Sequence, residues 1–175
     1  MIKPLAIIST ALLLTACAAW FPPTSADSHT NRTDGSQTIS TAPQFIECVR
    51  MPPCAYVAYT WNSAQPNESV LNFIIDDLQT AANGYRTLDS ITLNIDGDTV
   101  ALKSYAKVSN SSDEIYVKTH RSYIAPINLL NRIERSARTD IKIVTDVGVI
   151  ETDFKESRAF LGLVNFNKQL AKTTP

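Results

Sequence analysis

The stretch SITLNIDGDTVALKSY, Ser90–Tyr105, decides the fold class of this chain. Ile91, Leu93 and Ile95 alternate with polar residues, and a second alternation follows in DTVAL. A period of two is typical of a β-strand with one buried face. Asp96-Gly97 stands between the two alternating segments, and this dipeptide is a strong signal for a two-residue hairpin turn. The stretch therefore predicts an antiparallel β-hairpin.

The rest of the chain adds more strands and two helices. Short runs of β-branched and aromatic residues, separated by turn residues, predict strands near 55–61, 69–76, 114–123, 140–146 and 147–154. The alternative for 69–76 is the start of a short helix that runs to Ala82. Pro126 precedes a helix whose apolar stripe includes Ile127, Leu130 and Ile133, and residues 156–172 form a second amphipathic helix. Short connections favour antiparallel pairing. We expect an α+β fold, a twisted antiparallel sheet with two amphipathic helices packed on one face; a β-sandwich with peripheral helices is the alternative.

The first residues predict export. An apolar segment of about twelve residues follows Lys3, and at ~1.5 Å per residue it is too short for the roughly 30 Å core of a bilayer. A short apolar core behind a positive charge is typical of a cleaved signal peptide. It ends at Leu14-Thr15-Ala16-Cys17, which resembles the lipobox of bacterial lipoproteins. The alternative is an ordinary secretory signal cut near Ala18-Ala19.

The lipobox resemblance covers only residues 1–17, and it implies a cellular address. Residues 1–16 would be the lipoprotein signal peptide, and the thiol of Cys17 would carry a diacylglycerol after cleavage. Several acyl chains hold a protein firmly on a membrane, whereas one chain holds it only marginally. By the sorting rule of bacterial lipoproteins, Ala18 at the second position implies the outer membrane, and we expect the protein to face the periplasm. We therefore expect the protein to bind the membrane through this N-terminal lipid anchor.

Composition divides the mature chain into two parts. Residues 18–43 are rich in Ser, Thr, Pro and Asn, so we predict that residues 17–43 form a lipidated N-terminus and a flexible polar tether. Residues 44–175 then form a single globular α+β domain, which is long enough to bury a core.

Two cysteines remain after Cys17 is assigned to the lipid. Cys48 and Cys54 flank a short segment that contains Pro52-Pro53. Disulfides form in exported proteins, so the pair predicts a disulfide bond. A redox or metal pair is the rival interpretation, but the CxxC spacing and a neighbouring histidine are both missing.

Charge narrows the possible partners. The chain has 16 Lys and Arg against 17 Asp and Glu, and removal of Lys3 with the signal leaves a net charge of about −2. Nonspecific nucleic-acid binding needs a basic excess, so no nucleic acid is expected as a partner. Five cations could still form a local patch for an anionic partner, or they could be ordinary solvated charges: Lys103, Lys118, Arg121, Arg132 and Arg135.

Two well-known catalytic motifs are missing from the sequence. It contains no GxSxG or HExxH motif and no glycine-rich phosphate loop. His120 is the only histidine in the predicted globular domain, and a base would also need a serine and a carboxylate close by. We therefore predict no catalytic residue, no metal site and no cofactor.

Aromatic residues on the predicted strands suggest a second kind of site. Tyr and Trp combine apolar area with a polar tip, so they suit ligand surfaces as well as cores. Six of them are candidates for either role: Tyr56, Tyr59, Trp61, Tyr105, Tyr116 and Tyr123.

These observations favour a noncatalytic binding or assembly module, held at the outer membrane and directed at an envelope protein or glycan. A small envelope hydrolase is one alternative. An immunity or inhibitor lipoprotein that binds a toxin or enzyme is another, because such proteins are also small, exported and free of catalytic motifs.

Overall fold

The structure, a computed structural model, describes residues 24–48, 53–78, 87–112, 116–146 and 148–173. The predicted signal peptide at residues 1–16 and the predicted lipid attachment site Cys17 lie outside these residues. In chain order the described elements are β1 (Ala26–Thr30), β2 (Gln37–Thr41), β3 (Gln44–Cys48), β4 (Cys54–Asn62), β5 (Glu68–Leu78), β6 (Leu88–Ile95), β7 (Asp98–Ala101), β8 (Lys103–Ser104), β9 (Ser109–Ser112), β10 (Tyr116–Pro126), α1 (Ile127–Arg135), β11 (Thr139–Thr145), β12 (Gly148–Asp153) and α2 (Arg158–Thr173).

The hairpin predicted around Asp96-Gly97 is confirmed. β6 and β7 pair antiparallel, with Ile95 opposite Asp98. Asp96 has φ 51° and Gly97 has φ 96°, so both turn residues lie in the left-handed region that such two-residue turns require. The side chain of Asn94 accepts a hydrogen bond from the amide of Gly97 at 2.9 Å, which closes the turn from one side.

The strands form two antiparallel sheets, so the expectation of one sheet is wrong. The larger sheet has eight strands in the order β1-β2-β4-β5-β10-β8, with β3 on β4 and β9 on β10. The smaller sheet has four strands in the order β12-β11-β6-β7. The chain crosses between the sheets at Leu102, whose amide still bonds to the carbonyl of Ile91 in β6 before β8 joins β10. The coarser prediction, an α+β protein of antiparallel strands and two helices, is confirmed.

The folded domain begins before residue 44. β1 pairs with β2 along five residues, and β2 pairs with β4 so that Ile39 lies opposite Trp61. Ile39 is fully buried, and Thr24 accepts a hydrogen bond from Asn165 of α2. The prediction of a flexible tether through residue 43 is therefore wrong for this segment. Two backbone ladders and one buried isoleucine hold a sequence whose composition is otherwise polar.

The two sheets and both helices share one core. Odd-numbered residues of β4 and β5, such as Tyr59 and Phe73, are buried together with Ile91 of β6 and Ile143 of β11. Residues of α1 and α2, including Leu130 and Leu163, belong to the same cluster. We call this side of the larger sheet the inner side.

Helix α2 packs closely on the inner side. The hydroxyl of Tyr59 donates to the carbonyl of Ala159 at 2.9 Å, and its ring lies 5.7 Å from that of Phe166. Gly162 faces Gln44 of β3, where a Cβ atom on Gly162 would lie 2.7 Å from the Gln44 Cγ. The glycine therefore sets how near α2 approaches the sheet.

The predicted disulfide is present. Cys48 and Cys54 are cross-strand partners at the end of the β3–β4 pair, with their Cα atoms 4.1 Å apart. The bond closes a short loop at one end of the larger sheet. Cys54 lies on β4, the strand that also carries Tyr56. Its placement fixes the register of β3 on β4.

Candidate functional site

The larger sheet has a second face, opposite the inner side. Even-numbered residues of β4, β5 and β10 point to it, because side chains alternate along a strand. We call it the outer face, and its central part consists of these residues: Tyr56, Ala58, Thr60, Val70, Asn72, Ile74, Asp76, Lys118, His120, Ser122 and Ile124. All of them are half-buried except Ala58, which is buried.

The six aromatic candidates divide between the two sides of the sheet. Tyr59, Trp61 and Tyr123 are core residues, exposed by 1%, 4% and 1%. Tyr59 and Trp61 each donate a hydrogen bond to a backbone carbonyl, which satisfies the polar tip inside the core. These three are therefore structural.

The other three tyrosines lie at the outer face. Tyr56 is half-buried on β4, and its ring meets that of Phe45 edge-on at 5.7 Å. Tyr105 is 60% exposed, and its amide donates to the carbonyl of Ser122, which places it beside the β10 end of this face. Tyr116 is 37% exposed at the start of β10. Large exposed aromatic side chains collected on one face are typical of an interaction surface.

A polar pair lies between these rings. The Ser122 hydroxyl donates to the side-chain oxygen of Asn72 at 2.6 Å, across the β5–β10 pair. This bond orients the Asn72 amide, so that its nitrogen keeps two N–H donors for another acceptor. Ile74 and Val70 lie two residues to either side of Asn72 on the same strand and make the flanks apolar. The arrangement can hydrogen-bond a polar ligand while it packs against apolar surface.

His120 brings an imidazole, which can exchange a proton near neutral pH, to the outer face. Its Nε2 lies 3.4 Å from the hydroxyl oxygen of Ser111 on β9. Burial lowers the pKa of His120, Lys118 lowers it further, and Asp76 opposes both. The imidazole is therefore largely neutral at pH 7 and can accept a proton. Nearby, burial raises the pKa of Tyr56, and Asp76 and Tyr116 add to that rise.

Two of the five predicted patch cations lie on the outer face, but they are far apart. Lys118 stands opposite Asp76 in the β10–β5 register. Lys103 stands opposite Ile124, six residues further along β10. At about 3.4 Å per residue, the two lysines are separated by roughly 20 Å along the strand. They do not form one cationic cluster.

A third patch residue, Arg121, points to the inner side of the sheet. Its guanidinium donates to the backbone carbonyls of Leu88 at 2.5 Å and Asp89 at 3.1 Å. The guanidinium also lies over the ring of Tyr123, 5.8 Å from the centroid. Arg121 therefore ties β10 to β6 and joins the two sheets. Its role in the fold is structural.

The last two patch residues lie together on α1. Arg132 pairs with Asp98 at 2.5 Å, and it also donates to the carbonyl of Ile95. Arg132 and Arg135 border an open cleft of about 420 Å³ that also includes Asp96. Basic residues in the last turn of a helix are favoured by the helix dipole, which accounts for both. The five predicted cations therefore lie on three separate surfaces.

Neither a metal-binding group nor a membrane-spanning helix is found among the described residues. In that part of the chain, no group of three or more His, Cys, Asp or Glu side chains lies close enough to hold a metal ion. No helix there combines the length and the apolar character needed to cross a bilayer.

Comparison with known proteins adds no assignment. The chain matches no known protein family, and no curated protein is significantly similar to it in sequence.

The outer face was not predicted from the sequence, although its aromatic residues were candidates for a binding site. Alternation within β4, β5 and β10 assigns each residue to a face, but only the pairing register brings Asn72 to Ser122 and Ser111 to His120.

Proposed function

We propose that this chain is an outer-membrane lipoprotein whose folded domain is a noncatalytic binding module in the bacterial envelope, facing the periplasm. The lipid anchor rests on the resemblance of Leu14-Thr15-Ala16-Cys17 to a lipobox. The binding role rests on the outer face and its exposed tyrosines. An anchored module of this kind gains effective concentration for a partner in the same compartment.

The observation that carries the binding role is the contrast between the two sides of the larger sheet. The contacts of Tyr59 with Ala159 and Phe166 of α2, together with Leu130 of α1 in the same core, support an arrangement in which both helices pack on the inner side of a twisted sheet. The outer face then stays available, with Tyr105 and Tyr116 exposed on it. Tyrosines exposed in this way favour contact with another molecule over contact with solvent.

The binding role is tested by site-specific photo-crosslinking in cells that produce the full chain. A photoreactive phenylalanine derivative replaces Tyr105 on the outer face, and the matched control replaces Leu161, which is 54% exposed on α2. We expect one discrete adduct from the Tyr105 position and none from the Leu161 position. Equal labelling from both positions, or adducts from neither, would contradict a binding role for the outer face.

The anchor is tested separately on the N-terminus. Mass spectrometry of the mature chain should show a first residue Cys17 that carries acyl chains, and Cys17→Ala should release the protein from the membrane fraction. An unmodified mature chain that starts elsewhere would refute the anchor, and it would leave the crosslinking result untouched.

A small envelope hydrolase is the second candidate, because Ser111 and His120 lie 3.4 Å apart. A neutral imidazole beside a hydroxyl is the arrangement that activates a serine nucleophile. The test is hydrolysis of activated esters by the full chain, compared with Ser111→Ala and His120→Ala. Activity lost in both variants would replace the binding proposal with the hydrolase, whereas equal rates in all three proteins would remove it.

A further inference from the structure

We propose that the ligand of the outer face is a neutral glycan strand that carries N-acetyl groups. This inference rests on the binding role proposed above and names the chemical class of the occupant. Its support comes from three properties of the outer face: balanced charge, aromatic rings at its borders, and an amide donor between them.

The charges on the outer side of β5, β8 and β10 cancel in pairs, and Asp27, on the same side of β1, lies away from them at the far edge of the sheet. Lys118 stands opposite Asp76 across the β10–β5 pair. Lys103 lies beside Ile124, and Glu68 stands opposite Pro126 two residues further along β10 on the same side. His120 is largely neutral at pH 7, since its pKa is lowered. A face without net charge gives no electrostatic advantage to a strongly anionic or cationic partner.

The aromatic rings border an area that fits an oligosaccharide. Tyr56 lies on β4 and Tyr105 beside β8, and three strand spacings separate these strands. At about 4.8 Å per spacing, the two tyrosines lie roughly 14 Å apart across the sheet. The C–H groups of a pyranose ring present an apolar surface that stacks on an aromatic ring, and such contacts contribute beyond simple burial. A strand of several sugars can therefore contact both rings.

The polar centre selects the kind of sugar. The Ser122 bond occupies the side-chain oxygen of Asn72, so this residue presents its amide nitrogen to a ligand. An amide N–H donor pairs well with the carbonyl oxygen of an acetamido group, whereas a bare hydroxyl is a less directional partner. Ser122 itself keeps lone pairs that can accept from a sugar hydroxyl. The outer face thus offers a donor and an acceptor between two aromatic borders.

The rival occupants lack this match. An anionic lipid surface would require a cationic excess, which the balanced pairs do not supply. An extended peptide binds most readily along an unpaired strand edge, through backbone groups that a sheet face has already used. The glycan is the occupant that uses the rings, the amide and the neutrality together.

The test is a calorimetric titration of the full chain in mild detergent with chitotriose, a neutral trisaccharide of N-acetylglucosamine. We expect saturable binding. Tyr105→Ala should weaken the affinity by about threefold to tenfold, which corresponds to the usual free-energy contribution of one aromatic contact. Tyr105→Phe keeps the ring and should stay within about twofold of the original protein. Leu161→Ala, on α2, should bind as the original protein does.

Two further probes test the contribution of the acetyl groups and the effect of lipid charge. Cellotriose, a neutral trisaccharide with hydroxyls in place of the acetamido groups, should bind more weakly, and Asn72→Ala should erase that preference. Vesicles rich in phosphatidylglycerol should bind no better than neutral vesicles when compared in the Cys17→Ala protein.

Each failure has its own meaning. No binding of chitotriose, or equal binding by Tyr105→Ala, overturns the glycan proposal. Preference for anionic vesicles that depends on Tyr105 overturns it as well and assigns the outer face to lipid. In both cases a discrete crosslink from the Tyr105 position would keep the proposed binding role, whereas the absence of that crosslink as well would remove it.

Discussion

Gly162→Ala should weaken the fold, although alanine normally favours a helix. Gly162 is buried in α2, and an added Cβ would lie 2.7 Å from the Gln44 Cγ and 3.5 Å from the ring of Tyr59. Gln44 is fully buried, and its side-chain amide already donates to the carbonyl of Ala42 at 3.0 Å. The methylene carbon next to the new methyl group is therefore held in place and cannot swing into solvent.

The size of the effect follows from two opposing contributions. Alanine in a helix interior is more favourable than glycine by about 1 kcal/mol. Forcing a methyl group into a packed core costs about 1–3 kcal/mol. The substitution should therefore lower the free energy of unfolding by about 0–2 kcal/mol. In a Gln44→Ala background the clash partner is gone, so Gly162→Ala should instead stabilise that protein by about 1 kcal/mol.

The assay is urea denaturation followed by far-ultraviolet circular dichroism, on the four proteins of this double-mutant cycle with the disulfide intact. The expected coupling between the two sites is about 1–3 kcal/mol. If Gly162→Ala stabilised the unsubstituted chain by the full helix-propensity gain, the close approach of α2 to β3 would be refuted. Additive effects at the two sites would refute it equally.

Three other outcomes can be measured with the same equipment. Replacing both Cys48 and Cys54 by serine should lower the free energy of unfolding by roughly 2 kcal/mol, because the bond closes a short loop; an unchanged denaturation midpoint would contradict this. Burial raises the pKa of Tyr59 well above its ordinary value near 10, so the unfolded chain loses this proton first and stability falls as the pH rises above about 10. Tyr59→Phe should make that alkaline loss shallower, and an identical pH profile would count against the burial. Arg121→Ala removes the bonds to the carbonyl of Leu88 and its neighbour, so it should cost about 1.5–3 kcal/mol in chemical denaturation, and a cost below 0.5 kcal/mol would exclude a role in joining the sheets.

Local signals in the sequence predicted the elements of the fold well. Asp96-Gly97 placed the β6–β7 turn because positive φ at both positions is a property of the residues themselves. Pro126 and the stripe through Leu130 placed α1 for a similar reason, since the helical period is local. The disulfide followed from chain chemistry, because Cys48 and Cys54 were the only remaining pair.

Long-range pairing was not predictable from those signals. The segment that contains β1 and β2 is polar, and its structure depends on backbone bonds to β4, more than twenty residues away along the chain. The division into two sheets depends on the switch at Leu102, which a single strand pattern does not reveal. Composition therefore suggested that this segment is a flexible tether, whereas strand pairing makes it one edge of the larger sheet.

The candidate site was hidden for the same reason. Tyr56 and Tyr59 look alike in sequence, yet a difference of three positions puts one on the outer face and the other in the core. The cations show the converse, since Lys118 and Arg121 lie close in sequence and point to opposite sides of β10. A face is a property of register, and register needs the partner strand.

The early start of the folded domain limits how far the domain could lie from a lipid anchor at Cys17. From Cys17 to Thr24 the chain has seven residue steps, and at about 3.5 Å each they extend at most about 25 Å. If Cys17 is the acylated residue, the first residue of the folded domain lies within about 25 Å of the lipid anchor, so any ligand would be bound close to the bilayer. Thr24 is bound to Asn165 of α2, which packs on the inner side of the larger sheet. Thr24, the first described residue, therefore lies on the inner side of the larger sheet, opposite the tyrosines of the outer face.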